Sequence, residues 1–149
     1  MRQVIVFAYG SNLDEEQMRR RCASAQIEAL AVLPNHALAF GGCSRRWGGA
    51  VASVVQQPGG CVEGLLYRVT SSDLRVLDRH EGHPFAYERI GKLVTDERGR
   101  RRRAQVYRQH EDTFEPCLPQ MAYFRVVLNA YGRLGFDLDR LAAAVGVES

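Results

Sequence analysis

Val4-Ile5-Val6-Phe7-Ala8-Tyr9-Gly10-Ser11-Asn12-Leu13 is the stretch on which the reading of this chain turns. Its first half is short, apolar and β-branched, which predicts a buried strand. Gly10 then lets the backbone turn sharply and approach a ligand closely. Beyond it, Asn12-Leu13-Asp14-Glu15-Glu16 gives way to Arg19-Arg20-Arg21. Asn12 is a candidate helix cap with Glu15 in the capping-box position, and acids first with arginines last suits the helix dipole. The unit reads as strand, tight turn, helix. Free N–H groups at such a helix start, beside the positive dipole end, make a site for a carboxylate or phosphate. The plainer reading is a capped helix with no ligand. The Walker spacing and its lysine are absent, so this is no nucleotide phosphate loop.

Working outward, strand candidates follow at residues 27–33, 36–40, 51–55 and 61–69, punctuated by Pro34, Gly41-Gly42, Gly48-Gly49 and Pro58-Gly59-Gly60. Thr70-Ser71-Ser72-Asp73 predicts a helix start, with Leu74 and Leu77 on one face. Residues 87–95 and 104–108 read as a hairpin around an arginine-rich turn. Pro119 opens a helix on which Phe124, Val127, Leu128 and Tyr131 keep helical spacing and which Gly132 ends. Leu138, Leu141, Ala142 and Val145 predict a last helix before Gly146. Consecutive strands joined by short turns favour antiparallel pairing over a doubly wound parallel sheet. The expected fold class is α+β, a small mixed β-barrel with flanking helices.

A length of 149 residues suits one domain, 1–149, able to bury a core without staples. An apolar fraction of 46% and a charged fraction of 25% are ordinary for a globular protein. No apolar run is long enough to span a bilayer, and the Val4 to Ala8 segment is too short for the apolar part of a signal peptide. A cytoplasmic protein without a membrane partner is expected. Cys22, Cys43, Cys61 and Cys117 are dispersed and form no C-x-x-C pair, so idle thiols are expected rather than a disulfide frame or metal site. A net charge of +3 demands no polyanionic partner.

A second place for chemistry is Leu77-Asp78-Arg79-His80-Glu81-Gly82. Asp78 and Glu81 lie three apart and share a face on a continued helix. Gly82 lets the chain leave the helix and present Glu81 at an edge. The plainer reading is a polar helix end in solvent. His80-Glu81-Gly82-His83 is not the zinc protease motif, whose histidines sit four apart, and no metal is predicted.

Taken in order, these segments resemble the gamma-glutamyl cyclotransferase superfamily. Phe7-Ala8-Tyr9-Gly10-Ser11-Asn12-Leu13 is similar to its N-terminal signature. Trp47-Gly48-Gly49-Ala50-Val51-Ala52, Gln57-Pro58-Gly59 and Val62-Glu63-Gly64-Leu65-Leu66-Tyr67 follow in the family's order. Then come Leu77-Asp78-Arg79-His80-Glu81-Gly82 with Pro84 and Tyr87, and downstream Pro119, Tyr123 and Gly135. The likeness runs from about Val4 to about Phe136, and the ordered combination is far more specific than either motif alone. Ala130 departs from it, standing where some members have glycine.

The resemblance implies a barrel in which Tyr9, Gly10, Ser11, Asn12 and Leu13 grip a glutamyl head through backbone N–H groups. It places Glu81 on the family's catalytic glutamate, Tyr123 on a substrate-contacting tyrosine and Tyr87 on a pocket-lining position. The implied substrate is a small gamma-glutamyl amide, which carries its own nucleophile in the α-amine. Attack on the γ-carbonyl closes a lactam, 5-oxoproline, and releases an amine; orientation makes a Ser or Cys nucleophile unnecessary. One carboxylate of raised pKa serves as base and then acid, with no cofactor. The competing reading from another class is a non-catalytic carboxylate or gamma-glutamyl-binding module of the same fold.

Residues 98–103 carry five arginines and a glycine. They read as a solvated hairpin turn rather than a nucleic-acid surface, because aromatic interleaving is missing, with Glu111, Asp112 and Glu115 as candidate partners. Trp47 lines a pocket mouth or covers a barrel end; the sequence leaves both open.

Overall fold

In the computed structural model, which describes residues 2–146, the apolar opening segment forms strand β1 (Gln3–Ala8), exposed at its start and buried over its last three residues. A 3-10 turn over Ser11–Leu13 and helix α1 (Glu15–Arg21) follow. The cap of α1 is Asp14, whose carboxylate accepts the Glu16 N–H at 3.3 Å, and not Asn12 as the capping-box spacing suggested. The 3-10 turn moves the helix start two residues along and frees the Asn12 side chain for other partners.

The middle of the chain is two long strands, β2 (Gln26–Ser44) and β3 (Gly49–Thr70), paired antiparallel. Pro34 and Pro58-Gly59-Gly60, which read as breaks, are irregularities inside these strands. The register jumps from Pro34↔Cys61 to His36↔Gln56, with Asn35 left-handed at φ 61 and its side chain accepting the Gly59 N–H at 3.1 Å. Bulges take up the residues that cannot join the ladder and let long strands curl.

Helix α2 (Ser71–Glu81) begins where the threonine-serine run predicted, with Thr70 Oγ1 accepting the Asp73 N–H. Its Leu74 and Leu77 are buried, Leu77 completely. Replacing such a fully buried leucine by alanine costs roughly 2–5 kcal/mol. Strands β4 (Glu88–Asp96) and β5 (Arg101–Arg108) form the expected hairpin. Helix α3 (Met121–Leu134) runs through Gly132 and ends at Gly135, which takes the left-handed cap at φ 73. Its inward face is Tyr123, Val127, Ala130 and Tyr131, leaving Leu128 on the outside. Helix α4 (Leu138–Ala144) completes the chain.

The strands close in the order β1-β3-β2-β4-β5, antiparallel except where β1 meets β5 in parallel at Val6↔Gln105. A closed mixed barrel with flanking helices is the α+β architecture expected. The arginine turn is held from other directions than those predicted. Arg100 and Arg102 face Asp96, at 3.2 and 3.6 Å, and Arg102 also faces Glu28 at 3.8 Å. Glu111 pairs with Arg108 instead. Among the described residues all four cysteines are free thiols, and no helix is long and apolar enough to cross a membrane.

Candidate active site

The 3-10 turn after β1 and the last residue of α2 lie over the same end of the barrel. Gly82, left-handed at φ 71, caps α2 and turns the chain away, leaving Glu81 beside the turn. The two segments meet directly: Asn12 Nδ2 donates to Glu81 Oε1 at 3.2 Å. Asn12 Oδ1 in turn accepts from Gln17 and Arg21 at 3.2 and 3.0 Å, and Tyr67 Oη donates to the Asn12 carbonyl at 3.0 Å. These contacts fix the orientation of the Asn12 amide.

Arg21 also faces Glu81, at 3.8 Å, with both side chains largely buried (10% and 16% exposed). The separation is too long for a hydrogen bond. Burial therefore raises the Glu81 pKa above the ordinary carboxylate range, with Arg21, the Asn12 hydrogen bond and Arg46 pulling the other way. The Asn12 hydrogen bond and the Arg21 contact fall on Oε1, and Oε2 has no hydrogen-bond partner among the described residues. From sequence, Arg21 was expected only to complement the helix dipole. The inward spacing of Gln17, Met18 and Arg21 on α1 was the available signal, since Arg19 and Arg20 pair with Glu15 and Glu16 on the outer face.

Glu81 opens onto a cavity of about 680 Å³ walled by Tyr9, Gly10, Ser11, Asn12, Tyr87 and Tyr123 among others. Of the site residues that the family resemblance implied, Leu13 alone is absent from this wall. It is 1% exposed in the core and its N–H is used inside the turn, donating to the Gly10 carbonyl at 3.0 Å. The Gly10 and Asn12 N–H groups have no acceptor among the described residues. At Gly10 a methyl group would stand 3.1 Å from both Ala52 Cβ and Tyr123 Oη, so the turn sits close against the barrel and a side chain there would need those neighbours to give by a few tenths of an ångström.

Tyr123 Oη accepts the Ala52 N–H at 2.9 Å, and Tyr87 Oη donates to the Ala52 carbonyl. One residue of β3 thus anchors two tyrosines of the cavity wall. Burial lifts the Tyr123 phenol to about 12, with the Ala52 and Ser11 hydrogen bonds opposing the rise, so it is neutral near pH 7. Tyr9 Oη donates to the Tyr107 carbonyl, and Tyr107 Oη donates to Asp78 at 2.6 Å. Asp78 also accepts from Arg89 at 2.7 Å. Asp78 is therefore tied to β4 and β5, while Glu81 on the same helix faces α1. Trp47 lines the cavity and packs edge-on against Tyr123, with ring centroids 5.0 Å apart, which places it at the mouth. Among the described residues no group of three or more His, Cys, Asp or Glu side chains is placed to hold a metal ion.

The closed mixed barrel with flanking helices is an architecture shared with known proteins. A family model described as gamma-glutamyl cyclotransferase, AIG2-like, matches residues 6–124, and the chain belongs to that family. A bovine gamma-glutamylcyclotransferase is 29% identical over 140 residues, covering 91% of this chain and 73% of that one. The mouse gamma-glutamylcyclotransferase is 39% identical over a shorter 82 residues, 52% of this chain and 44% of its own. A solved gamma-glutamyl cyclotransferase superposes with a TM-score of 0.88 at 27% identity, over 99% of this chain and 89% of the other.

Proposed function

We propose that the chain catalyses the cyclisation of a gamma-glutamyl amide to 5-oxoproline with release of the free amine. The observation that carries the reading is Glu81: a part-buried carboxylate of raised pKa, with one oxygen held by Asn12 and the other without a hydrogen bond among the described residues, on a cavity wall. In this scheme the substrate α-carboxylate lies against the Gly10 and Asn12 N–H groups. Leu13 serves only to anchor their turn.

Glu81 takes a proton from the α-ammonium. The freed nitrogen attacks the γ-carbonyl carbon, forming the new C–N bond of the lactam. As the tetrahedral intermediate collapses, the old C–N amide bond breaks and Glu81 gives its proton to the departing nitrogen; the ring nitrogen, which still carries two hydrogens after the attack, passes one through the same carboxylate to the freed amine, leaving a neutral lactam and an ammonium. A pKa raised towards neutrality suits a group that must both take and give a proton. Tyr123 and Tyr87, held by Ala52, bound the space in which the glutamyl chain folds on itself, and such orientation supplies much of the acceleration.

The test is product analysis with a panel of gamma-glutamyl amino acids, gamma-glutamyl-ε-lysine and gamma-glutamyl amines, using wild type and Glu81→Gln. Wild type is expected to release 5-oxoproline, and the variant to be slower by about a hundred- to ten-thousand-fold, the usual worth of general acid–base help. Undiminished turnover by Glu81→Gln would remove Glu81 from the scheme.

A further inference from the structure

The cavity wall carries four arginines, Arg21, Arg45, Arg46 and Arg79, against one carboxylate, Glu81. Arg21 is the one that faces Glu81. The other three are exposed at the mouth, Arg45 and Arg46 in the turn between β2 and β3 and Arg79 in the last turn of α2. Arg46 reaches the His80 Nδ1 at 3.3 Å, so the turn and the helix end meet. Burial, and then the guanidiniums of Arg21, Arg46 and Arg79, hold the His80 imidazole below its ordinary value. That ring is neutral at physiological pH and accepts from Arg46.

Neither Arg45 nor Arg79 has an ion-pair partner among the described residues. Other arginines, among them Arg75, Arg101 and Arg125, also stand outside the ion pairs, but Arg45, Arg46 and Arg79 are set apart by standing together on the wall of one cavity. Three cations gathered at one opening repel one another and contribute nothing to folding that solvent would not supply. They do create a field that concentrates anions at the mouth. A gamma-glutamyl head brings one carboxylate and one ammonium, so it leaves that field unanswered. The remaining part of the substrate, the departing amine, is the part that extends towards the mouth once the head is seated against the turn.

We infer that Arg45, Arg46 and Arg79 form a subsite for anionic groups on the departing amine. The preferred substrates are then gamma-glutamyl conjugates of acidic amino acids, followed by those of neutral amino acids, with conjugates of simple amines last. The inference rests on the cyclisation reading for the direction in which the substrate lies. Guanidinium groups suit it because they form paired, charge-assisted hydrogen bonds with carboxylates.

The experiment compares gamma-glutamyl-glutamate, gamma-glutamyl-alanine and gamma-glutamyl-ethylamine by 5-oxoproline release, and by calorimetric binding to Glu81→Gln, where all three ligands meet the same altered charge. Each added carboxylate is expected to improve kcat/KM and affinity by on the order of tenfold, an advantage that shrinks as salt is raised. In Arg45→Ala/Arg79→Ala the three compounds converge, and Arg45→Lys/Arg79→Lys restores part of the spread. Arg79→Glu turns the preference towards a diamine conjugate, a reversal that a merely structural role would not produce. Release of 5-oxoproline at equal rates, with equal affinities, overturns the subsite and keeps the cyclisation. A graded affinity without any 5-oxoproline keeps the subsite and overturns the cyclisation. Absence of binding by all three overturns both.

Discussion

The Asn12 side chain donates to Glu81 Oε1 at 3.2 Å across 69 residues of sequence. This hydrogen bond joins the two segments that the sequence singled out separately, and it exists because Asp14, not Asn12, caps α1. Asn12 receives hydrogen bonds from Arg21 and Gln17 on its other side. The glutamate is thus held by a chain of groups drawn from the turn and from α1.

Arg21 is the strongest group opposing the rise in the Glu81 pKa. Arg21→Met should raise that pKa further. Since the carboxylate must be ionised to take a proton, the acid limb of the kcat/KM profile moves to higher pH. Arg21→Lys, which keeps the charge, should leave the limb near its wild-type position. An unmoved limb in the methionine variant would separate Arg21 from the function of Glu81.

Stability carries the same signature. The folded protein binds the Glu81 proton more tightly than the unfolded chain does, because burial raises its pKa above 4.5. Its contribution to stability is fully present below the unfolded value and is lost as pH rises through the folded one. Glu81→Gln removes this dependence. Its stability relative to wild type should therefore increase between acid and neutral pH, as read by denaturant unfolding at both. A constant difference contradicts the raised pKa.

Gly10→Ala tests the close approach of the turn. The added methyl meets Ala52 Cβ and Tyr123 Oη at 3.1 Å, and the backbone φ of −116 is not left-handed, so the effect is steric. Overpacking of this kind costs about 1–3 kcal/mol. A lower thermal midpoint together with a raised KM is expected. Normal values of both would mean that the turn moves freely.

Tyr123→Phe removes the acceptor of the Ala52 N–H while keeping the ring against Trp47. A loss of about 1 kcal/mol is expected from this hydrogen bond. If the phenol also contacts substrate, KM rises by more than the stability change accounts for. Equilibrium unfolding and steady-state kinetics on the same preparation separate the two effects.

Periodicity and turn chemistry made most of the architecture readable. Val4 to Ala8 announced β1, and Leu74, Leu77 and Gly82 announced α2 with its exit. What failed was punctuation. Pro34 and Pro58-Gly59-Gly60 look like strand ends, yet pairing over the rest of β2 and β3 carries both strands past them. Gly132 looks like a helix end, yet Val127, Ala130 and Tyr131 bury a face that continues to Gly135. In the site, Glu81 and the turn were legible because their local sequences are unusual. Arg21 was not, since its role depends on which side of α1 faces a residue sixty positions away.

The barrel closes through one parallel register pair, Val6↔Gln105, reinforced by the Tyr9 hydroxyl on the Tyr107 carbonyl. That seam runs directly beneath the turn at Gly10. A ligand seated on the turn and touching Tyr9 would therefore act as a clasp on the thinnest join in the sheet. Binding would slow amide hydrogen exchange on both flanks of that join, in β1 and β5, far more than in the long β2–β3 ladder. Occupancy of the cavity would then be readable from the outer wall of the barrel as well as from inside the cavity.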